Sequence, residues 1–322
     1  MICLLFTGCT SVDKPPACSS GFVWTMPRGG DFVRMLDHVD QWQETAKITD
    51  VFGVADHVLN RSYSDEELTR AFRTMKAHNM RLGLEVGAVK PWGKTGKLVF
   101  EVQRPMWDRF NRLGGDIFAI ALDEPLVAVT FHLPEKDEAV KAMTSEQRFE
   151  YGIEETATFI ALVREHYPHI LIGDIEVYPS INADTVIAWV DALEARLKAK
   201  GVRGQDFFRM DVNWVAFPVQ SGSWEDFMRI ENHCKKIGLP FSMIFWASDL
   251  PGDPKKREDP TAWYNGIMRQ GADYLKHGTP DQYVIETWLN APPEAFPETE
   301  EWTFSRSVID FYSMFIRDKR KK

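Results

Sequence analysis

From residue 21 onward, short apolar runs alternate with longer stretches whose apolar residues recur every three or four positions. Unbroken or period-two apolar runs fit strands, and a period near 3.6 fits one face of a helix. Eight strands are predicted: "GFVWTM" (21–26), "DVFGVAD" (50–56), "RLGLEV" (81–86), "IFAIALDE" (117–124), "ILIGDIE" (170–176), "FFRMDVN" (207–213), "FSMIFWA" (241–247) and "YVIETW" (283–288). Between them lie amphipathic segments with helix signals. Ser64 with Glu67 makes a capping box, a Thr or Ser cap opens the long stretch that stops before Pro168, and Gly201 follows a lysine-rich helix end. The repeated strand-then-helix order, with no low-complexity linker, predicts an α/β fold: a single-domain (β/α)8 TIM barrel over residues 21–318.

In a parallel barrel the C-terminal ends of all strands converge on one mouth, where barrel enzymes do their chemistry. Six of the eight predicted strands end on acid: Asp56, Glu85, Asp123 with Glu124, Glu176, Asp211 with Asn213, and Glu286. Cations are nearly absent from these positions. Carboxylates crowded at one mouth repel one another unless a substrate, a metal or shared protons compensate, so the ring reads as functional. Period two puts Asp174 and Glu176 on one face of the fifth strand, and Arg209, Asp211 and Asn213 on one face of the sixth. If both faces are interior, Asp174 and Arg209 form an ion pair beneath the mouth. In the fourth strand Ala119, Ala121 and Asp123 share a face, and Glu124 falls on the other unless the chain turns before Pro125. Aromatic residues follow the acids: Trp92, Tyr178, Trp214, Trp246 and Trp288. An aromatic face suits the C–H face of a sugar ring while acids and amides take its hydroxyls, so the expected partner is a carbohydrate.

Composition narrows the alternatives. The net charge of −9 argues against nucleic acid, and the one basic cluster, the tail at 319–322, reads as a solvated end. No apolar run has the length of a membrane span. No G-x-G-x-x-G follows any strand, which sets nicotinamide chemistry aside, and the loops after strands seven and eight are rich in proline rather than glycine, which disfavours a phosphorylated substrate. Three of the four cysteines, Cys3, Cys9 and Cys18, fall in the first 20 residues, leaving Cys234 and no disulfide framework in the body of the chain. No cofactor and no metal site is expected.

The opening "MICLLFTGCTS" resembles a bacterial lipoprotein signal. That resemblance implies export to the envelope or periplasm, a lipid anchor at Cys9, and a leader and tether over 1–20; without a signal the protein is cytoplasmic. Two motifs resemble the retaining (β/α)8 glycoside hydrolases of clan A. "LDEP" (122–125) is similar to the Asn-Glu-Pro that ends their fourth strand and carries the acid/base, which maps onto Glu124 with Asp123 in place of asparagine. "VIETW" (284–288) is similar to the strand end that bears their nucleophile, which maps onto Glu286. The clan places that nucleophile on strand seven, whereas here it falls on strand eight, so Glu176 competes with Glu124 for the acid role.

The resemblance implies hydrolysis of glycosidic bonds by two carboxylates, one protonated to assist the leaving oxygen and one ionised. Two alternatives remain. A metal-dependent sugar isomerase, epimerase or hydrolase would use the oxygen-rich ring, with His57 the one histidine near a strand end, and a non-catalytic barrel would only bind carbohydrate. The segment 127–147 after the fourth strand is expected either to cover the mouth or to elaborate the surface.

Overall fold

The computed structural model describes residues 20–247 and 259–320. Eight strands form in the predicted order: β1 (Phe22–Met26), β2 (Val51–Ala55), β3 (Arg81–Val86), β4 (Ile117–Asp123), β5 (Leu171–Tyr178), β6 (Phe207–Val212), β7 (Phe241–Phe245) and β8 (Gln282–Glu286). Each pairs in parallel with its sequence neighbours, and β8 closes onto β1 from Phe22↔Gln282 to Met26↔Glu286, completing a (β/α)8 barrel. The main helix of each unit packs outside: α1 (Phe32–Asp37), α2 (Asp65–Ala77), α3 (Gly96–Arg112), α4 (Ser145–His166), α5 (Ala183–Ala199), α6 (Trp224–Ile237), α7 (Pro260–Tyr274) and α8 (Phe304–Phe315).

Local chemistry sets the helix ends. Ser64 accepts from the Glu67 N–H while Glu67 accepts from the Ser64 N–H, and Thr144 with Gln147 does the same at α4. Asn182 caps α5 and Ser223 caps α6, which ends at Gly238 in the left-handed conformation.

Two apolar compartments result. The larger lies between strands and helices. The smaller fills the barrel itself with Phe22, Trp24, Met26, Ala119, Ala121, Ile175, Phe207, Ile244 and Val284. The Trp24 and Phe207 rings meet at 5.9 Å across this interior. They fit because β3 and β5 carry glycine where the rings lie: a Cβ on Gly83 would lie 2.3 Å from the Trp24 ring, and one on Gly173 2.1 Å from Phe207. A register shift where Leu82 and Gly83 face Ile117 and Ala119 leaves one extra residue in β4 and lets Phe118 join the inner cluster.

The segment after β4 forms short helical turns from Pro125 to Lys141 that pack on β5 and α4, and the Lys94–Asp137 ion pair ties it to the loop after β3. It elaborates the helix layer. The basic tail is no freely solvated end where it is described: Arg320 Nη2 pairs with Asp50 Oδ1 at 2.5 Å and Lys319 Nζ donates to Tyr283 Oη at 3.0 Å. The leader with Cys9, and the loop at 248–258, lie outside the described residues. No helix among the described residues is long and apolar enough to cross a membrane.

Candidate active site

Four of the predicted acids reach the barrel interior by alternation. Gly83 and Glu85 share the inner face of β3, Ala121 and Asp123 that of β4, Arg209 and Asp211 that of β6, and Val284 and Glu286 that of β8. Their charges act on one another: Glu85 feels Glu286 and Asp123, and Asp211 feels Glu124, Glu286 and Asp123. One mouth therefore gathers Glu85, Asp123, Glu124, Asp211 and Glu286.

Glu124 arrives differently. Strict alternation would turn it toward the helices, but its backbone takes a left-handed conformation (φ 52°, ψ 55°), with its N–H donating to the carbonyls of Leu122 and Ile175. A non-glycine residue in this region costs about 1 kcal/mol, and such strain clusters at functional sites. The turn ends the strand before Pro125 and brings the Glu124 carboxyl within electrostatic reach of Asp211.

Burial dominates the electrostatics. It pushes Glu124 up to about 7, helped by the neighbouring Asp123 charge and opposed by Lys90. It also pushes Glu286 up to about 7, with Arg209 opposing and Asp123 adding. Glu85 and Asp211 are driven well above the usual carboxylate range, again by burial first and then by the other acids. Two cations offset this. Lys90, in the loop after β3, forms an ion pair with Asp123. Arg209 lies deeper and fully buried, its Nε donating to Ser242 Oγ at 3.0 Å and its guanidinium 4.2 Å from the centroid of the Trp24 ring.

A cavity of about 660 Å³ opens beside the acids, lined by Asp56, His57, Glu85, Lys90, Trp92 and Asp123 among others. Trp92 is 55% exposed at its rim. Toward β7 and β8, Trp246 Nε1 donates to Asp211 Oδ1 at 2.5 Å, and Trp246 lies against the half-exposed Trp288 with ring centroids 4.1 Å apart. Trp92 follows β3, Trp246 follows β7 and Trp288 follows β8, so these rings enter from strands three and four places apart in the eight-stranded ring. Such a cleft offers apolar platforms to ring faces and acids to hydroxyls between them.

Other expected members have partners of their own. Glu176 faces the helix layer, where Oε1 accepts from the Leu126 N–H at 2.7 Å and Oε2 from the Val127 N–H at 3.3 Å. Asp174, on the same face, accepts from Trp189 Nε1 at 2.7 Å, and burial raises it to about 8. The expected Asp174–Arg209 pair does not form, because Arg209 points inward. Tyr178 is buried, exchanging hydrogen bonds with the backbone of Ser223. Trp214 packs against Phe217 and Trp224. Asn213 Oδ1 accepts from the Ala216 N–H in the turn after β6. Asp56 begins a short helix after β2, accepts from Trp107 Nε1 at 3.0 Å and lines the cavity with Glu85 and Asp123; burial raises it to about 6, with the Asp123 charge adding. Among the described residues no three His, Cys, Asp or Glu side chains are grouped so as to hold a metal ion.

Sequence reasoning missed Lys90. Its signal was its place two residues before Trp92, in a loop on the face where barrel loops build the site.

Glu176 supports the turn that aims Glu124. Glu176→Ala removes the acceptor of two buried N–H groups and should lower unfolding free energy by about 1–3 kcal/mol. Glu176→Gln, which keeps one acceptor oxygen, should cost less and leave turnover within a few-fold of wild type. Urea melts and steady-state rates check this; a loss of turnover comparable to that of a Glu286 variant would return Glu176 to the reacting pair.

No protein-family model matches the chain, and no curated protein matches it in sequence. Among solved structures it is similar to a GH10 endoxylanase retrieved from a sugarcane soil metagenome, with a TM-score of 0.52 and 10% identity over 91% of this chain and 96% of that one. An intracellular xylanase of Thermoanaerobacterium saccharolyticum gives a TM-score of 0.50 and 13% identity over 86% and 88%. D-Psicose 3-epimerase of Clostridium cellulolyticum with D-tagatose gives 0.50 and 12% over 91% and 99%. At these identities the likeness shows a shared barrel and nothing finer.

Proposed function

We propose that this chain is a glycoside hydrolase that cleaves an oligosaccharide or polysaccharide with Glu124 and Glu286. Glu124 carries the proton to the departing glycosidic oxygen, and Glu286, ionised, acts as nucleophile or as base toward water. The single observation that supports this reading best is the convergence of two buried carboxyls, both raised to about 7, on one mouth. Near neutral pH Glu124 can hold a proton that an isolated carboxyl would have lost, while Glu286 can still ionise. The exposed rings of Trp92 after β3 and Trp288 after β8 favour a sugar chain as the occupant. With the export signal read in the leader, the proposed setting is the bacterial envelope.

The test is a panel of oligosaccharides, polysaccharides and aryl glycosides incubated with thoroughly chelated protein, with release of reducing ends followed by mass spectrometry. Hydrolysis of at least one substrate that survives chelation is the expected result. Sugar isomerisation that requires added Mn²⁺, or binding without turnover across the panel, would overturn the reading in favour of an isomerase or a binding barrel.

A further inference from the structure

Beneath the carboxyl cluster sits a charge that packing alone does not explain. Arg209 is fully buried in the barrel interior, on the inner face of β6 one step below Asp211. Its Nε is held by Ser242 Oγ, and its plane lies 4.2 Å from the Trp24 ring centroid and 5.1 Å from that of Phe207. Nη1 and Nη2 are sealed from solvent and have no hydrogen-bond partner. Glu286, 6% exposed, likewise has a sealed Oε2 with no partner.

A guanidinium left unpaired in an apolar interior is costly, and a methionine of similar length would fill the same space at no such cost. The offset has to come from charge acting across space. The carboxylates that act on Arg209 are Glu286 from β8 and Glu85 from β3. The groups that act on Glu286 are Arg209 below it and Asp123 at the end of β4, while Asp211 from β6 and Glu85 from β3 are in turn raised by it. Its neighbour on β1, Met26, carries no charge. The other cation at the mouth, Lys90, is engaged by Asp123. Arg209 is thus the one cation among those neighbours that favours an ionised Glu286, and it does not appear among the groups acting on Glu124.

We propose that Arg209 is a positioning residue for Glu286: from below the floor of the mouth its charge favours the ionised carboxylate there and leaves Glu124 untouched. The Trp24 face and the Ser242 hydroxyl fix its place in a dry interior where its charge is poorly screened. This inference rests on the glycosidase reading for its meaning in catalysis, but the coupling itself can be measured without any substrate.

The test compares wild type with Arg209→Met, Arg209→Gln and Arg209→Lys. Glutamate side-chain carboxyls are labelled with ¹³C, and Glu286 is assigned by the signal lost in Glu286→Gln. In Arg209→Met the Glu286 titration should move up by about one pH unit or more, and Arg209→Lys should recover part of the shift. Arg209→Gln, which keeps a donor for Ser242, carries the test if the methionine variant does not fold. In activity, the acid limb of kcat/KM should move upward by the same amount, with KM little changed. A Glu286 titration that stays in place in both neutral variants would overturn the proposal. If the titration moves and no glycan is cleaved by wild type, the coupling stands and the glycosidase reading falls.

Discussion

On the proposed glycosidase reading, Glu286→Gln should reduce hydrolysis by about 10³-fold or more at the pH optimum, with KM little changed, because the amide can neither attack the sugar carbon nor accept a proton from water. The position leaves little room for a substitute. Burial holds Glu85 and Asp211 toward the neutral form, and Asp123 is occupied by Lys90. The isosteric swap preserves packing at the end of β8, while the Arg209 charge loses its nearest counter-charge. Circular dichroism melting therefore accompanies the rate measurement. A folded variant that retains a tenth of the wild-type rate would remove Glu286 from the reacting pair.

Glu124→Gln should lower kcat for natural sugar leaving groups by about 10²- to 10⁴-fold. The loss should be far smaller for an aryl glycoside whose phenolate departs without a proton. The same variant should be more stable than wild type in alkaline solution. Burial raises the folded-state pKa of Glu124 from 4.5 to about 7, so the folded protein binds this proton more tightly than the unfolded chain does. The stability contributed by that proton is fully present below about 4.5 and is lost as pH rises through 7. Glutamine never ionises and escapes the loss. The two melting temperatures should therefore lie close together at pH 4 and separate by pH 8, with the variant a few degrees higher. Equal melting at both pH values would mean that Glu124 is not held in the proton-binding environment described. A site that weakens the fold at the pH where it works is a familiar balance between stability and activity.

The eight strands were legible because parallel strands in a barrel are buried on both faces and appear as nearly continuous apolar runs. Glu85, Asp123, Asp211 and Glu286 were then legible as strand ends, and period-two alternation grouped Asp123 with Ala121 and Asp211 with Arg209. The same alternation failed at β5, "LIGDIEVY", because it groups residues by face without saying which face is inside, and both faces of this strand are buried. What decides is the Phe207 ring, which needs Gly173, and so the face of Leu171 and Ile175, turned inward. Asp174 and Glu176 are thereby sent to partners 15 and 50 residues away, the Trp189 indole and the Leu126 N–H, which local pattern cannot reveal. Glu124 was legible by resemblance and not by periodicity: nothing in a glutamate side chain encodes a left-handed turn. Arg209 was noticed and given the wrong partner, for the same reason that Asp174 was given the wrong face.

The rings that fill the barrel also make the chamber blind. With Trp24 and Phe207 blocking the axis, reactant, product and exchanging protons share a single doorway, and the underside has no part in traffic. Variation in what is processed can then come from redrawing the loops around that doorway, those of Trp92 after β3 and Trp288 after β8 among them, while the aromatic stopper remains as inherited. Lineages built on this scaffold would be expected to diverge at the entrance long before they diverge in depth.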